Sequence, residues 1–271
     1  MNLGGPATVF ARSIRRSALQ MVHRAGASHI GSVLSICDIV AVLYGQTLNV
    51  DPRNPEWDMR DRFILSKGHA CVAVYAALAE RGFVSHEDLL SYGQDHSVFM
   101  NHISHKVPGV EFSTGALGHG LPFGVGKALA AKKRTNSWKT FVLLSDGELD
   151  EGSNWEAMMF AAHHRLDNLV AIVDYNKLQS LTSVAETLGL EPLEDKFRAF
   201  GWAVQQVDGH DHHALFQSLS TTPWASDRPS ILIAHTTKGK GVGFMENKVE
   251  WHYKSPTKEQ LDQALSEIAD A

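Results

Sequence analysis

Thr140-Phe141-Val142-Leu143-Leu144-Ser145-Asp146-Gly147-Glu148 and Leu169-Val170-Ala171-Ile172-Val173-Asp174-Tyr175-Asn176 are the two stretches that decide how this chain folds. Each opens as a nearly unbroken apolar run, the pattern of a strand buried on both faces, and each ends in polar residues. Asp146 and Asn176 stand thirty positions apart (176 − 146). That is the length of one βαβ crossover, so the runs predict neighbouring parallel strands with both residues at the carboxyl edge, where open α/β sheets bind ligands. Further strands are expected at Arg62-Leu65, Ala203-Val207 and Ser230-Ala234, with helical patterns between them. The fold class that follows is α/β, a mainly parallel sheet with helices on both faces, forming one domain over residues 1–271.

Composition narrows the partners. The 271 residues are 44% hydrophobic, enough for a large core, and the mean hydropathy is −0.16. A net charge of −5 gives no general electrostatic reason to bind a nucleic-acid backbone or an anionic membrane. Cys37 and Cys71 are the only cysteines and form no CxxC pair, which fits a reducing cytoplasm. No secretory apolar region is read at the N-terminus, and no uninterrupted apolar stretch is read as long enough to cross a bilayer. Arg12, Arg15, Arg16 and Arg24 all precede the first acidic residue, Asp38, as in an organellar presequence. Val9, Ile14, Leu19 and Val22 recur at roughly helical spacing, however, so the segment is read as the first helix of the domain.

Ser85 with Asp88 and Ser153 with Glu156 fit capping boxes and predict two helix starts. Lys258-Ala269 predicts a charged amphipathic helix, and Ser180-Pro192, which has no clear period, a surface excursion.

A carboxylate, a side-chain amide oxygen and a backbone carbonyl are hard oxygen donors, and Mg²⁺ commonly takes a few of these with phosphate oxygens and water. Asp146 and Asn176 at one sheet edge therefore point to a magnesium diphosphate. On spacing alone they read better as turn or capping residues, the usual role of Asp and Asn at strand ends. Residue identity adds to this. The run Asp146-Gly147-Glu148-Leu149-Asp150-Glu151-Gly152-Ser153-Asn154-Trp155-Glu156, continued to Asp174-Tyr175-Asn176, resembles the fingerprint of thiamine-diphosphate enzymes in its transketolase form. The resemblance extends over essentially the whole chain as the N-terminal section of transketolase.

It implies thiamine diphosphate and Mg²⁺, or another divalent cation such as Ca²⁺ or Mn²⁺, with Asp146, Asn176 and the Leu178 carbonyl as metal ligands. Gly147 is implied to let the backbone approach the diphosphate, and Glu151 to lie at a subunit contact linking two cofactors. Gly115, Ala116 and Leu117, in the glycine-rich run Ser113-Thr114-Gly115-Ala116-Leu117-Gly118-His119-Gly120, are implied to hold the aminopyrimidine. Lys238, in Thr237-Lys238-Gly239-Lys240-Gly241, is implied to lie near the phosphates.

Four histidines resemble those that distinguish transketolases: His29 in Ser28-His29-Ile30-Gly31, His69 in Ser66-Lys67-Gly68-His69, His102 in Asn101-His102-Ile103, and His252 in Glu250-Trp251-His252. Imidazole donates or accepts near neutral pH, which suits a polyhydroxylated substrate. The implied roles are contact with the donor's terminal hydroxyl for His102, binding or protonating intermediate oxygens for His29 and His252, and the diphosphate end for His69. The cluster His210-Asp211-His212-His213 does not have the spacing of a usual zinc site, and Asp211 reads as a helix N-cap.

The activity implied is transfer of a two-carbon ketol unit from a ketose, phosphorylated by expectation, to an aldose. The family's pyrimidine-binding and C-terminal domains, with the glutamate that activates the cofactor, are expected on a separate C-terminal subunit in an α₂β₂ assembly. The rivals are the α chain of a 2-oxoacid dehydrogenase, a deoxyxylulose-phosphate synthase, and a non-catalytic cofactor-binding paralogue. Ser145, Ile30, Asn101 and Ile103 depart from the family pattern of glycine, proline, glycine and proline.

Overall fold

Strict alternation of buried residues between two core layers is what makes this sheet two-sided. The computed structural model describes residues 4–270. Its strands are β1 (Arg62–Leu65), β2 (Thr140–Ser145), β3 (Leu169–Tyr175), β4 (Ala203–Asp208) and β5 (Ser230–His235), all paired in parallel in the order β1-β2-β3-β5-β4. All five begin at the expected residue. Phe141, Leu143, Val170 and Ile172 enter one layer, while Val142, Leu144, Ala171 and Val173 enter the other.

The helices are α1 (Gly4–Ala25), α2 (Ile30–Val42), α3 (Cys71–Glu80), α4 (Gly120–Lys133), α5 (Gly152–His163), α6 (Val184–Thr187), α7 (Leu193–Ala199), α8 (His212–Ser220) and α9 (Lys258–Asp270). Residues of α1, α2, α3, α8 and α9 pack into the first layer, and residues of α4, α5, α6 and α7 into the second. The parallel sheet is thus covered on both faces, as its unbroken apolar strands require.

Several local expectations need correction. Val9 is 67% exposed, because the inward stripe of α1 runs through Ala7, Ala11, Ile14 and Ala18. Ser153 does not cap α5: Glu151 holds the cap position, and the Ser153 hydroxyl donates to Gly118 O at 2.7 Å. Ser85 and Asp88 do exchange reciprocal bonds, but they open only a short 3₁₀ turn over Asp88–Ser91. The 180–192 excursion carries a true capping box, Ser183 with Glu186, on the four-residue α6. Among the described residues one helical run, Ile30–Thr47, is by length and average composition apolar enough to cross a membrane, although Asp38 and other polar residues interrupt it. It is 83% buried inside the fold, where α2 packs against α1, α3 and α8 as a core helix. The expected α9 and the Asp211 cap of α8 are found.

Helix α4 sits on β1 and β2 at Gly124, where an added Cβ would come within 2.5 Å of Val142 Cγ2 and 3.4 Å of Ile64 Cδ1. Neither neighbour has room to retreat in a packed core. Gly124→Ala is expected to lower stability by about 1–3 kcal/mol, read as a lower denaturant midpoint, through overpacking alone.

Candidate functional site

The parallel register pairs Ser145 with Asp174, so Asp146 leaves β2 beside the point where Asn176 leaves β3. Asp146 is almost fully buried; its Oδ1 accepts from Gly147 N at 2.8 Å and its Oδ2 from Lys177 N. Asn176 Oδ1 accepts from Leu178 N at 3.0 Å, and its Nδ2 donates to Asp174 Oδ2 at 3.1 Å. Both residues therefore do make the turn bonds that spacing alone suggested. Those bonds leave lone pairs unused on both, and Asp146, Asn176 and Leu178 line one cleft of about 260 Å³ at the carboxyl edge of the sheet.

The cleft gathers all four expected histidines. The His29 ring lies 5.1 Å from His69, 5.9 Å from His102 and 5.0 Å from His252, centre to centre. His29 is held in the left-handed region at φ 74°, its N–H donating to His252 O at 2.8 Å, so the start of α2 is fixed against the late turn carrying His252. His102 is held through its carbonyl, which accepts from Tyr75 Oη at 3.1 Å. Burial pushes His29 down to about 4 and His252 to about 3, and lowers His69 and His102 as well. All four are neutral imidazoles at physiological pH.

Gly147, Gly115, Leu117 and Lys238 also line the cleft. A Cβ at Gly147 would meet Gln179 Cγ at 2.9 Å. Ala116 and Glu151 do not line it: both are exposed, Glu151 packing against Gly118, where an added Cβ would meet Glu151 Cβ at 2.7 Å. Lys238 Nζ donates to Leu178 O at 3.2 Å and Gln179 O at 2.9 Å, and lies 3.1 Å from His252 Nδ1.

Sequence reasoning missed the residues that hold this edge together. Ser32, Lys67, Gln179 and Tyr253 share the cleft lining. Lys67 is fully buried in an ion pair with Asp174, whose carboxylate also accepts from the hydroxyls of Ser35 and Thr236. Glu148, equally buried, ties three segments together by accepting from Ser66 Oγ, from Gly118 N at 2.9 Å and from Ser145 N at 3.3 Å. Lys67 stood inside the motif quoted for His69, but its partner lies 107 positions away and no local signal joins them.

Electrostatics make the edge receptive to a cation. Burial, and then the charge of Asp174, push Asp146 up to about 7, so the protein's own groups leave its carboxylate poorly compensated. Burial and then Lys67 lower Lys238 to about 8. Asp174 itself stays below the usual carboxylate range: burial raises it, but the Lys67 charge and its hydrogen bonds outweigh burial. Among the described residues no group of three or more His, Cys, Asp and Glu could hold a metal, so a cation here would rest on mixed oxygens, the donor set that suits Mg²⁺. The residues present fit a divalent cation, with Lys238 now occupying the Leu178 carbonyl it would need. His210 and His212 instead bond Asp38, each at 2.7 Å, beside Arg15, an ionic cluster satisfied within the protein.

A parallel α/β sheet with oxygen donors and neutral histidines gathered in a cleft at its carboxyl edge is the arrangement in which open α/β sheets bind their ligands. Residues 7–267 match the model of the transketolase thiamine diphosphate binding domain. The chain is 41% identical over 256 residues to one subunit of the apulose-4-phosphate transketolase of Phocaeicola vulgatus, covering 94% of this chain and 91% of the relative. It is 40% identical over 259 residues to the 6-deoxy-6-sulfo-D-fructose transketolase subunit SqwG of Clostridium sp. MSTE9, covering 95% and 94%. The solved transketolase of Campylobacter jejuni superposes with a TM-score of 0.94 at 33% identity, over 99% of this chain and 43% of that one. The chain belongs to the transketolase family, as an N-terminal member of subunit length.

A cation bound at this edge would compete with a proton for the Asp146 oxygens. With that carboxyl raised to about 7, Mg²⁺ affinity is expected to fall as pH drops through 7, by up to about tenfold per unit, and to level off above it. Calorimetric titrations of Mg²⁺ with thiamine diphosphate at pH 6, 7 and 8 check this, and Asp146→Ala should abolish binding throughout.

Proposed function

We propose that Asp146, Asn176 and the Leu178 carbonyl hold Mg²⁺, with Ca²⁺ or Mn²⁺ as substitutes, and that this cation anchors the diphosphate of thiamine diphosphate in the cleft. The observation that carries the reading is the convergence of these three oxygens with His29, His69, His102 and His252 in one cleft. Bound there, thiamine diphosphate would supply the nucleophilic carbon for transfer of a two-carbon ketol unit.

The chain's own part is to bind, orient and manage protons. His69 and Lys238 face the diphosphate, Lys238 releasing Leu178 O to the cation and offering its charge to phosphate oxygens. Gly115 and Leu117 receive the aminopyrimidine, whereas Ala116 and Glu151, outside the cleft lining, contribute only through backbone contact or an interface between chains. His29, His102 and His252, neutral because burial lowers them, hold ketose and aldose hydroxyls as donors or acceptors and move protons on and off substrate oxygens.

The companion is a C-terminal subunit that brings the cofactor-activating glutamate, in an α₂β₂ arrangement with sites between unlike chains. The relatives named as subunits support a companion, and the apolar groove between α4 and α5, lined by Val125, Leu129 and Phe160, supports an extensive interface. Ketoses with an anionic group at the far end, phosphate above all, are the substrate class, and the free buried thiols of Cys37 and Cys71 accord with a cytoplasmic setting.

The purified chain is expected to show no ketol transfer by itself and to gain it on mixing with its companion, Mg²⁺ and thiamine diphosphate. Oxidative decarboxylation by the same mixture in place of transfer would move the assignment to the 2-oxoacid dehydrogenases. Cofactor binding without either reaction would favour the non-catalytic paralogue. In that reconstituted system His252→Ala is expected to lower turnover by about two orders of magnitude or more while shifting the melting temperature little, as measured by paired kinetics and thermal melts. A large melting shift with proportionate activity loss would make His252 structural.

A further inference from the structure

Asn176 is useful as a cation ligand only if its oxygen, not its amide nitrogen, faces the cleft, and the two atoms are sterically almost interchangeable. Two neighbours decide between them: the Leu178 N–H, which donates to the amide oxygen at 3.0 Å, and the group facing the amide nitrogen on the other side. Asp174, two residues earlier near the end of β3, has no exposed surface, and its Oδ2 lies 3.1 Å from the Asn176 amide nitrogen. An ionised carboxylate only accepts, so it can face NH₂ and cannot face the amide oxygen.

The other hydrogen bonds to its carboxylate among the described residues all come from donors: Lys67 Nζ, Ser35 Oγ at 2.7 Å and Thr236 Oγ1. These donors fix the carboxylate in place without themselves touching the amide. We infer that Asp174, clamped by Lys67, is a positioning residue that sets the orientation of the Asn176 amide and so presents its oxygen to the cation. The inference rests on the reading of the cleft as a cation site, and it deepens that reading.

The arrangement makes a counter-intuitive demand. If charge alone mattered, Asn176→Asp would strengthen a cation site. Here it sets a second carboxylate against Asp174 with no donor between them, so it should weaken the site. Exchanging the pair, as Asp174→Asn with Asn176→Asp, restores one amide donor facing one carboxylate and should recover much of the loss. A role for Asp174 in folding alone would not be rescued by a change at Asn176.

The test is Mn²⁺ binding in the presence of thiamine diphosphate, followed by the electron paramagnetic resonance of free Mn²⁺, on the full chain and again in the two-chain complex. Asn176→Asp is expected to bind Mn²⁺ about 10–100-fold more weakly than the native protein, the range seen when a ligand's supporting hydrogen bond is lost. The exchanged pair should bind at least about tenfold more tightly than Asn176→Asp alone. Ser35→Ala, which removes a donor that does not face the amide, should stay within about threefold of native. Undiminished Mn²⁺ binding by Asn176→Asp overturns the inference, as does a folded exchanged pair that binds no better than the single variant. Should the exchanged pair not fold, Asn176→Asp decides alone. Failure of the native protein to bind Mn²⁺ in both preparations overturns the cation site itself and this inference with it.

Discussion

Everything at the working edge of this protein depends on the parallel register that sets Ser145 of β2 beside Asp174 of β3. Side chains alternate along a strand, so a slip of one residue would exchange the two core layers and turn the edge residues to the wrong face. The register is secured well below the edge, by Phe141 and Leu143 in one layer and Val142 and Leu144 in the other. Burial on both faces thus does for the cleft what no local turn could: it aligns residues thirty positions apart in sequence (176 − 146) to within reach of one small ligand.

That edge carries more buried charge than a stable fold needs. Lys67, Lys238, Asp146, Asp174 and Glu148 are all nearly inaccessible. One pair is well matched, since Lys67 meets Asp174 and keeps its carboxyl low. Asp146 and Glu148 are raised, Asp146 by burial and then Asp174, Glu148 by burial against its three donors. A buried carboxylate left without a counter-charge is destabilising on its own and is tolerated where a ligand completes it. The histidines show the complementary tactic. Burial keeps them uncharged, so they add hydrogen-bonding capacity to the cleft without adding repulsion to the two lysines.

The strands were legible because unbroken apolar runs have few alternatives, and the five starts read from sequence are the five observed. The four histidines were legible through their motifs, and the fold brings them within 5.9 Å of one another or less around His29. What sequence could not reveal was the support. Glu148 lies in the quoted motif, yet nothing local announces that its carboxylate receives Ser66 and Gly118. The Ser153 capping box failed for a related reason: a tertiary partner, Gly118 O, took the hydroxyl that local pattern assigned to a helix end. Ile30–Thr47 passes by length and average composition as a possible span although polar residues interrupt it, because buried core helices and spanning helices share composition. Only the packing of its neighbours tells them apart.

The departures from the family pattern are best judged by the same standard, whether the fold gives the new residue something to do. Ile103 stands where a proline is expected, and its N–H donates to Gly68 O at 3.0 Å, a bond proline lacks the hydrogen to make. Its side chain is buried, 2% exposed, in the layer that holds Tyr75, whose hydroxyl accepts from Ser104 N and donates to His102 O. The lost rigidity of proline is therefore replaced by a backbone hydrogen bond and an apolar anchor on the segment that presents His102. Ile30 likewise has no exposed surface, extending the core to the very start of α2 behind His29. Ser145 remains small enough to line the cleft, and its N–H is held by Glu148. Asn101 is exposed and no contact in the structure explains it. Of the four, Ile103 holds the edge by a bond proline could not make, Ile30 by burial alone, and Ser145 by staying small while keeping a backbone bond that glycine would also make.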